Sequence, residues 1–302
     1  MTPDALAALC RAAMPQERLT VEELAYLCFG VSADGDVDEI VGDERGAAVM
    51  QVQRFGAHVA VWLVLVVVDP ARQSRGLGKE LVRAVIDRAG ELGAQDVLLA
   101  SAIPRYLWPG VDTANTRVGM LLETLGFERD WVGINMAIDT SFRRAAPAGI
   151  RVELETGTGA HDFAVVAYPH WVPELDRAVD LGTAVAARAA DGHTIGFACH
   201  SVNRAGWIGP MATDPTCQHG GVGSAVLAGL CVELERRGVA AGEISWVSNL
   251  RFYGKCGAQV SRVFLGGRRT LARNARPGAT VGRSSAGVDG PQADPPPLGG
   301  RS

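Results

Sequence analysis

Residues 59–68 read Val-Ala-Val-Trp-Leu-Val-Leu-Val-Val-Val, the longest apolar run in the chain. Ten residues is about half of a bilayer span, and the run is rich in β-branched side chains, so it predicts a buried central strand. Before it, 46–55 reads as a neighbouring strand, and 4–13 and 20–27 as helices. The second helix opens on Thr20 with Glu23 three residues on, a capping box. After it, 76–92 keeps helical spacing through Leu77, Leu81, Val85, Ile86 and Leu92, and Gly93 suits its end. A strand over 96–101, a helix over 115–125 and a strand over 131–138 complete this half.

The same order then returns. A strand is predicted over 150–155, a helix over 159–168, and strands over 183–189, 193–201 and 206–213. A helix over 221–237 runs up to Gly238, followed by strand 243–247, helix 249–255 and strand 258–265. The pattern predicts an α/β fold of two tandem domains, 1–144 and 150–268, each a mixed sheet flanked by helices. "AAPAG" (145–149) is the linker. From Arg269 the chain is Arg, Gly, Ser and Pro with almost nothing apolar, so 269–302 is expected to be a disordered tail.

A duplication is written into the glycines. Asp-Pro-x-x-Gln-x-x-Gly-x-Gly occurs at 69–78 and again at 214–223, and a further glycine (Gly93, Gly238) follows at the same register in both copies. In each copy a hydrophobic strand runs into Asp-Pro, the chain turns, and the glycines open a helix. The unpaired N–H groups and partial positive charge of a helix N-terminus suit a phosphate, and glycine lets an anion approach them. The alternative is a plain glycine loop. Neither copy carries the third glycine of a dinucleotide fingerprint or the Gly-Lys-Ser/Thr of a P-loop.

Composition narrows the partners. The chain has 302 residues, 47% hydrophobic and 21% charged, with net charge −4 and only two lysines, Lys79 and Lys255. That balance gives no electrostatic footprint for nucleic acid or an anionic membrane. Cys10, Cys28, Cys199, Cys217, Cys231 and Cys256 show no Cys-x-x-Cys spacing, so they are expected as free thiols in a reducing cytoplasm, with no metal site. Asp4 and Arg11 bracket the apolar patch 5–9, so a short helix is expected there and no secretory or transit segment.

Strand, Gln-x-x-Gly-x-Gly, long helix, strand and an Asn…Tyr…Gly helix together resemble the GNAT superfamily of N-acetyltransferases. The resemblance covers nearly the whole chain except the tail. It implies a tandem, two-domain GNAT fold in which loop amides hold the pyrophosphate of coenzyme A and the preceding strand pairs with its pantetheine arm. Carried over, the binding residues are Val66, Val68, Gln73, Arg75, Gly76, Gly78, Lys79 and Asn115 in the first copy. In the second they are Met211, Thr213, Gln218, His219, Gly220, Gly221, Gly223, Ser224 and Asn249.

The helix after the next strand separates the copies. "SNLRFYGKCGA" keeps Asn249 and then Tyr253 four residues before Gly257, the position from which the family's tyrosine protonates the departing thiolate. "ANTRVGMLLETLGF" keeps Asn115 and Gly126 but has Leu122 where the tyrosine belongs. For deprotonating the amine, Glu243 is preferred and His200 is second. "YLWPG" (106–110) and "YPHW" (168–171) are candidate acceptor linings, and Asp112 a candidate for meeting a cationic amine. The resemblance implies an acetyl-CoA-dependent N-acetyltransferase acting on a small-molecule primary amine through its C-terminal half, cytoplasmic, and a monomer or homodimer. Two alternatives stay open: a non-catalytic coenzyme A-binding regulatory module, and acetylation of a protein lysine or N-terminus.

Overall fold

The computed structural model describes residues 1–31, 35 and 37–271. The N-terminal half runs α1 (Pro3–Ala13), α2 (Val21–Cys28), β1 (Glu39–Asp43), β2 (Gly46–Phe55), β3 (His58–Val68), α3 (Leu77–Glu91), β4 (Asp96–Leu99), β5 (Val111–Asp112), α4 (Thr116–Thr124) and β6 (Glu128–Asp139). The C-terminal half runs β7 (Arg151–Leu154), α5 (Gly159–Ala167), α6 (Val172–Asp180), β8 (Ala184–Arg188), β9 (Thr194–His200), β10 (Trp207–Thr213), α7 (Val222–Arg236), β11 (Ala241–Ile244), α8 (Leu250–Lys255) and β12 (Gln259–Thr270). The predicted capping box is present: Glu23 N donates to Thr20 Oγ1 and Thr20 N to Glu23 Oε2.

Helices cover both faces of the sheet in each half, which is why β3 is apolar on both sides. Leu81, Val82, Val85, Ile86 and Ala89 of α3 bury against β2 and β3 on one face, and Leu6, Leu9, Leu24 and Leu27 of α1 and α2 fill the other. In the C-terminal half α7 and α8 cover one face, while α5 and α6 pack Ala160, Ala164, Leu175 and Ala178 against Phe197 on the other. Each fully buried Leu or Ile contributes about 1.5–3 kcal/mol relative to exposure.

The strands join into one sheet in the order β1-β2-β3-β4-β12-β6-β11-β10-β9-β8-β7, with β5 on β12. The two halves exchange their last strands. β6, which ends the first half, pairs with β11 of the second (Glu243↔Ala137), and β12, which ends the second, pairs with β4 of the first (Gly267↔Leu99). The exchanged strands pair antiparallel with each other at the centre, for example Leu265↔Val132 and Val263↔Ile134.

Several boundaries differ from the sequence reading. β12 continues through Arg269 and Thr270, and Leu271 packs on the α3 core, because the strand has a partner in β4. The rest of the expected tail, from residue 272, lies outside the described residues. α6 falls between the predicted helix over 159–168 and the predicted strand over 183–189, where no element was expected; Pro173 sits in its first turn, where a missing N–H costs nothing. β1 was missed because Glu39, Gly42 and Asp43 dilute its apolar pattern, and β11 begins two residues earlier than predicted.

Because each half depends on the other's strand, the whole chain is expected to unfold in one transition. Phe264 on β12 is fully buried, and Phe264→Ala is expected to cost about 3–5 kcal/mol. Urea denaturation followed by Trp fluorescence and by far-ultraviolet circular dichroism checks this; two separated transitions would refute the coupling.

Candidate active site

Both halves open their sheets at the same level. The parallel pair β3/β4 holds register to Leu63↔Leu99, and β10/β11 to Ile208↔Ile244. Beyond those pairs the strands part. Val66 and Val68 then pair only with β2, and Met211 and Thr213 only with β9, so one backbone edge of each segment faces the gap. An extended acyl-amide chain fits such an edge because strand backbone offers donors and acceptors in a row.

The loops that follow are the same structure twice. Asp69 and Asp214 have φ/ψ of −47/128 and −49/127, and Gln73 and Gln218 have −62/158 and −64/155. Ser74 and His219 take φ of 60 and 64, and Gly76 and Gly221 take 92 and 90. The Asp side chains accept from Ala71 N at 2.8 Å and Thr216 N at 2.7 Å, and fix the turn. Gly76 and Gly221 are the N-caps of α3 and α7 and offer no side chain, so the first-turn N–H groups face outward. A Cβ on Gly78 would lie 3.4 Å from Leu121, and one on Gly223 would lie 3.3 Å from Thr213 Oγ1 and 3.4 Å from Phe252. This cradle fits a pyrophosphate. Arg75, Gln218, His219 and Gly220 are exposed at the rim, with Gln73 and Lys79 half-buried beside them. Gln73 Nε2 donates to Val68 O at 3.1 Å, tying the loop to its strand. Ser224 Oγ donates to Gly221 O at 2.9 Å and is committed to its own helix. Asn115 and Asn249 are N-caps, accepting from Val118 N and Phe252 N.

At the position compared, the halves diverge. Tyr253 is half-buried on α8, and its hydroxyl reaches Met211 Sδ at 3.8 Å, on the strand edge of the gap. Burial, with the Cys256 thiol beside it, pushes the phenol up to about 12, so its proton stays on at neutral pH. Leu122 is buried in the α3 core and presents no polar atom.

The two candidate bases occupy opposite faces. Glu243 accepts from Asn135 Nδ2 and Ser261 Oγ, each at 3.0 Å, on the face away from Ile244 and the α7 core. His200 is fully buried. Its Nδ1 meets Ser201 Oγ at 2.9 Å and its Nε2 has no partner among the described residues. Burial, reinforced by Arg237 at the far end of α7 from the glycine loop, lowers the ring to about 4. His200 is therefore separated from the gap, because its strand level is that of Ile208, where the sheet is still closed.

Both aromatic loops reach the C-terminal gap or its border. Tyr168 Oη donates to Thr213 O at 3.1 Å and its ring stacks on Trp171 at 5.1 Å. Tyr106, from the first half, places its hydroxyl 2.8 Å from Ser245 Oγ and its ring edge-on to Trp246 at 6.0 Å. Asp112 accepts from Arg262 Nε at 2.7 Å, so its charge is already met.

That pair belongs to a network that sequence reading missed. Glu17 accepts from Arg262 Nη2 at 2.8 Å, from Arg204 Nη1 at 3.0 Å and from Trp108 Nε1 at 3.4 Å, and its backbone oxygen takes Arg204 Nη2 at 2.6 Å. Arg204 also lies over the Trp207 ring at 4.6 Å. No local motif marks these residues, since they meet across nearly the whole length of the chain. Among the described residues no cluster of His, Cys, Asp or Glu could hold a metal ion, and no helix is long and apolar enough to cross a membrane.

The profile of the Acetyltransferase (GNAT) family matches residues 21–127 and again 153–258. The chain therefore belongs to this family, with its domain present twice. It is a GNAT-type acetyltransferase, of a family that generally uses acetyl-CoA. Solved structures share the fold across both halves. A GCN5-related N-acetyltransferase from Sphaerobacter thermophilus is 20% identical with a TM-score of 0.60, covering 89% of this chain and 94% of that one. A tandem GNAT protein from the clavulanic acid biosynthesis pathway is 12% identical with a TM-score of 0.64, covering 89% and 94%. The glucosamine N-acetyltransferase region of a fungal multi-domain β-N-acetylglucosaminidase is 18% identical with a TM-score of 0.66. It covers 88% of this chain, which spans 37% of the fungal one. No curated protein matches by sequence.

Two stability predictions come from this geometry. Glu17→Ala leaves Arg204 and Arg262 without their shared carboxylate and is expected to cost about 3–5 kcal/mol in urea unfolding. His200 is neutral when folded and must gain a proton when unfolded in acid. Its contribution is present above about pH 6.5 and lost as pH falls toward 4, up to about 3 kcal/mol. His200→Gln is expected to flatten that stretch of the stability–pH curve; an unchanged slope would contradict the neutral buried ring.

Proposed function

We propose that the C-terminal half, residues 150–268, transfers an acetyl group from acetyl-CoA to a primary amine of a small molecule, and that the N-terminal half, residues 1–144, completes the acceptor side. The observation that carries this reading is the Tyr253 hydroxyl at the edge of the C-terminal gap, against Leu122 in the other half. Acetyl-CoA, when bound, supplies the acetyl group as a thioester.

The chain's own residues divide the remaining work. Gln218, His219, Gly220, Gly221 and Gly223 hold the pyrophosphate with backbone amides and the positive end of α7. The edge Met211–Thr213 aligns the pantetheine arm. Tyr253 keeps its proton at neutral pH and donates it on the sulfur side, a contribution of roughly 10²–10⁴-fold in rate. Glu243 faces the acceptor side, where it orders water or the amine. In the N-terminal half Val66, Val68, Gln73, Arg75, Gly76, Gly78 and Lys79 form a second coenzyme A site without a proton donor. The reading of the chain as a cytoplasmic protein, monomer or homodimer, accompanies this proposal.

Tyr253→Phe retains the ring and its packing and removes only the hydroxyl. Steady-state thiol release is expected to show kcat lowered by 10²-fold or more with coenzyme A affinity nearly unchanged. Wild-type turnover in this variant would move the chemistry away from the C-terminal half. Gly78→Trp and Gly223→Trp fill the two cradles separately. Calorimetry with coenzyme A is expected to find two sites in the wild type and one in each variant; a single wild-type site, lost only with Gly223→Trp, would remove the N-terminal one.

A further inference from the structure

Behind Tyr106 lies a set of buried polar atoms that the acetyl-CoA side of the site does not use. Glu174, on α6, is 3% exposed, and its one hydrogen-bond partner among the described residues is neutral: Asn203 Nδ2 donates to Oε1 at 3.2 Å. Asn203 is itself 5% exposed, and its Oδ1 has no partner among the described residues. The Tyr106 hydroxyl faces the Asn203 side chain and senses the charge of Glu174. That hydroxyl is also held by Ser245 Oγ at 2.8 Å, and a methyl group built on Gly209 would lie 3.7 Å from it. Gly209 and Ser245 each follow the last paired residues of β10 and β11, so they mark where the C-terminal gap begins.

The chemistry of this set is short of one donor. It sets a carboxyl, an amide carbonyl oxygen and a phenol oxygen against the Asn203 amide N–H and the Tyr106 O–H, with no cation among the groups that shift Glu174. Buried acceptors are normally satisfied, and Asn203 Oδ1 has no partner among the described residues, so the set points to a ligand that brings a donor. A primary ammonium brings three N–H donors and one positive charge. Resting on the C-terminal reading above, we propose that Glu174, Asn203 and Tyr106 form the pocket for the acceptor's ammonium group, and that Glu174 takes the proton the amine sheds before it attacks. In that step an N–H bond breaks, its electron pair stays on nitrogen, and the proton forms an O–H bond on the Glu174 carboxyl.

The electrostatics agree with this use. Burial raises the Glu174 carboxyl to about 8, while the Asn203 hydrogen bond opposes the rise. A group titrating there accepts a proton at neutral to mildly alkaline pH. The titratable and charged groups around it are Tyr106 of the first half, Tyr26 of α2, Cys199 of β9, and Arg177, which lies over the Tyr26 ring at 3.6 Å. Burial raises Tyr26, Tyr106 and Cys199 alike, so Glu174 is the member that titrates near neutrality. Bound ammonium favours the carboxylate, so binding at pH 7 should expel a proton from Glu174.

Calorimetry of the full chain with n-butylammonium, in two buffers of different ionisation enthalpy, reads that proton directly. n-Butanol is the neutral control. The expected result is binding of butylammonium with release of up to one proton at pH 7, none at pH 9, and no binding of butanol. Glu174→Gln should weaken butylammonium at least 10-fold and abolish the proton release, while coenzyme A binds as in wild type. Asn203→Leu should weaken butylammonium without abolishing the proton release. Thiol release from acetyl-CoA with butylamine separates the two proposals. If Tyr253→Phe loses activity and Glu174→Gln keeps both activity and butylammonium binding, the amine pocket is overturned and the C-terminal reading stands. If neither variant loses activity, both fall. A Glu174→Gln protein that binds neither ligand would mean that the carboxyl is structural, and it overturns the pocket unless Glu174→Asp restores the amine alone.

Discussion

The central pairing of β6 with β12 is the constraint on which the rest of the molecule depends. Neither strand lies beside the strand that its own half would supply as a neighbour; each instead closes the sheet of the other half. A parallel pair such as β10/β11 can open at one end only if its outer flanks are held, since a free edge would let the strands slide back together. β9 holds one flank of the C-terminal gap and β6 the other. The gap in the second half is therefore propped by a strand encoded in the first, and the reverse holds for β3/β4 and β12.

The ion network at Glu17 adds a lock to this exchange. Glu17 and Asp112 come from the first half, Arg204 and Arg262 from the second. Burial lowers the Arg204 guanidinium from its ordinary range and Glu17 opposes that shift, so removing the carboxylate would leave a buried charge unpaired. Such a set contributes little net stability compared with an apolar core, yet it tolerates few arrangements. It fixes the angle between halves at the side where the 101–110 loop crosses, and through that loop it fixes Tyr106 against Ser245.

Legibility from sequence followed the range of the interactions. The glycine loops were readable because their geometry is local: Asp69 and Asp214 hold their own turns, and identical motifs gave backbone angles agreeing within a few degrees. The contrast between Tyr253 and Leu122 was readable for the same reason, being a matter of spacing to a nearby glycine. The strand exchange was not, since nothing in 128–139 or 259–270 encodes which neighbour each strand takes. Glu17 and Glu174 were equally silent. Each is an ordinary carboxylate on an ordinary short helix until the fold buries it beside residues far away in the chain.

His200 and Glu174 show why type and position alone mislead about acid–base roles. Both are buried titratable groups on the C-terminal half, and burial disfavours the charged form of each, lowering the histidine to about 4 and raising the carboxyl to about 8. The same physics thus removes one from service near neutral pH and brings the other into it. Surroundings complete the distinction. His200 sits beside Arg237, where a cation would be repelled, and at a level where the sheet is closed. Glu174 sits beside Asn203, whose Oδ1 has no partner among the described residues, behind the residue that lines the open end. On the proposed reading, a duplicated fold with one tyrosine-bearing half needs only one acceptor pocket, and the half without the tyrosine furnishes part of its wall through Tyr106.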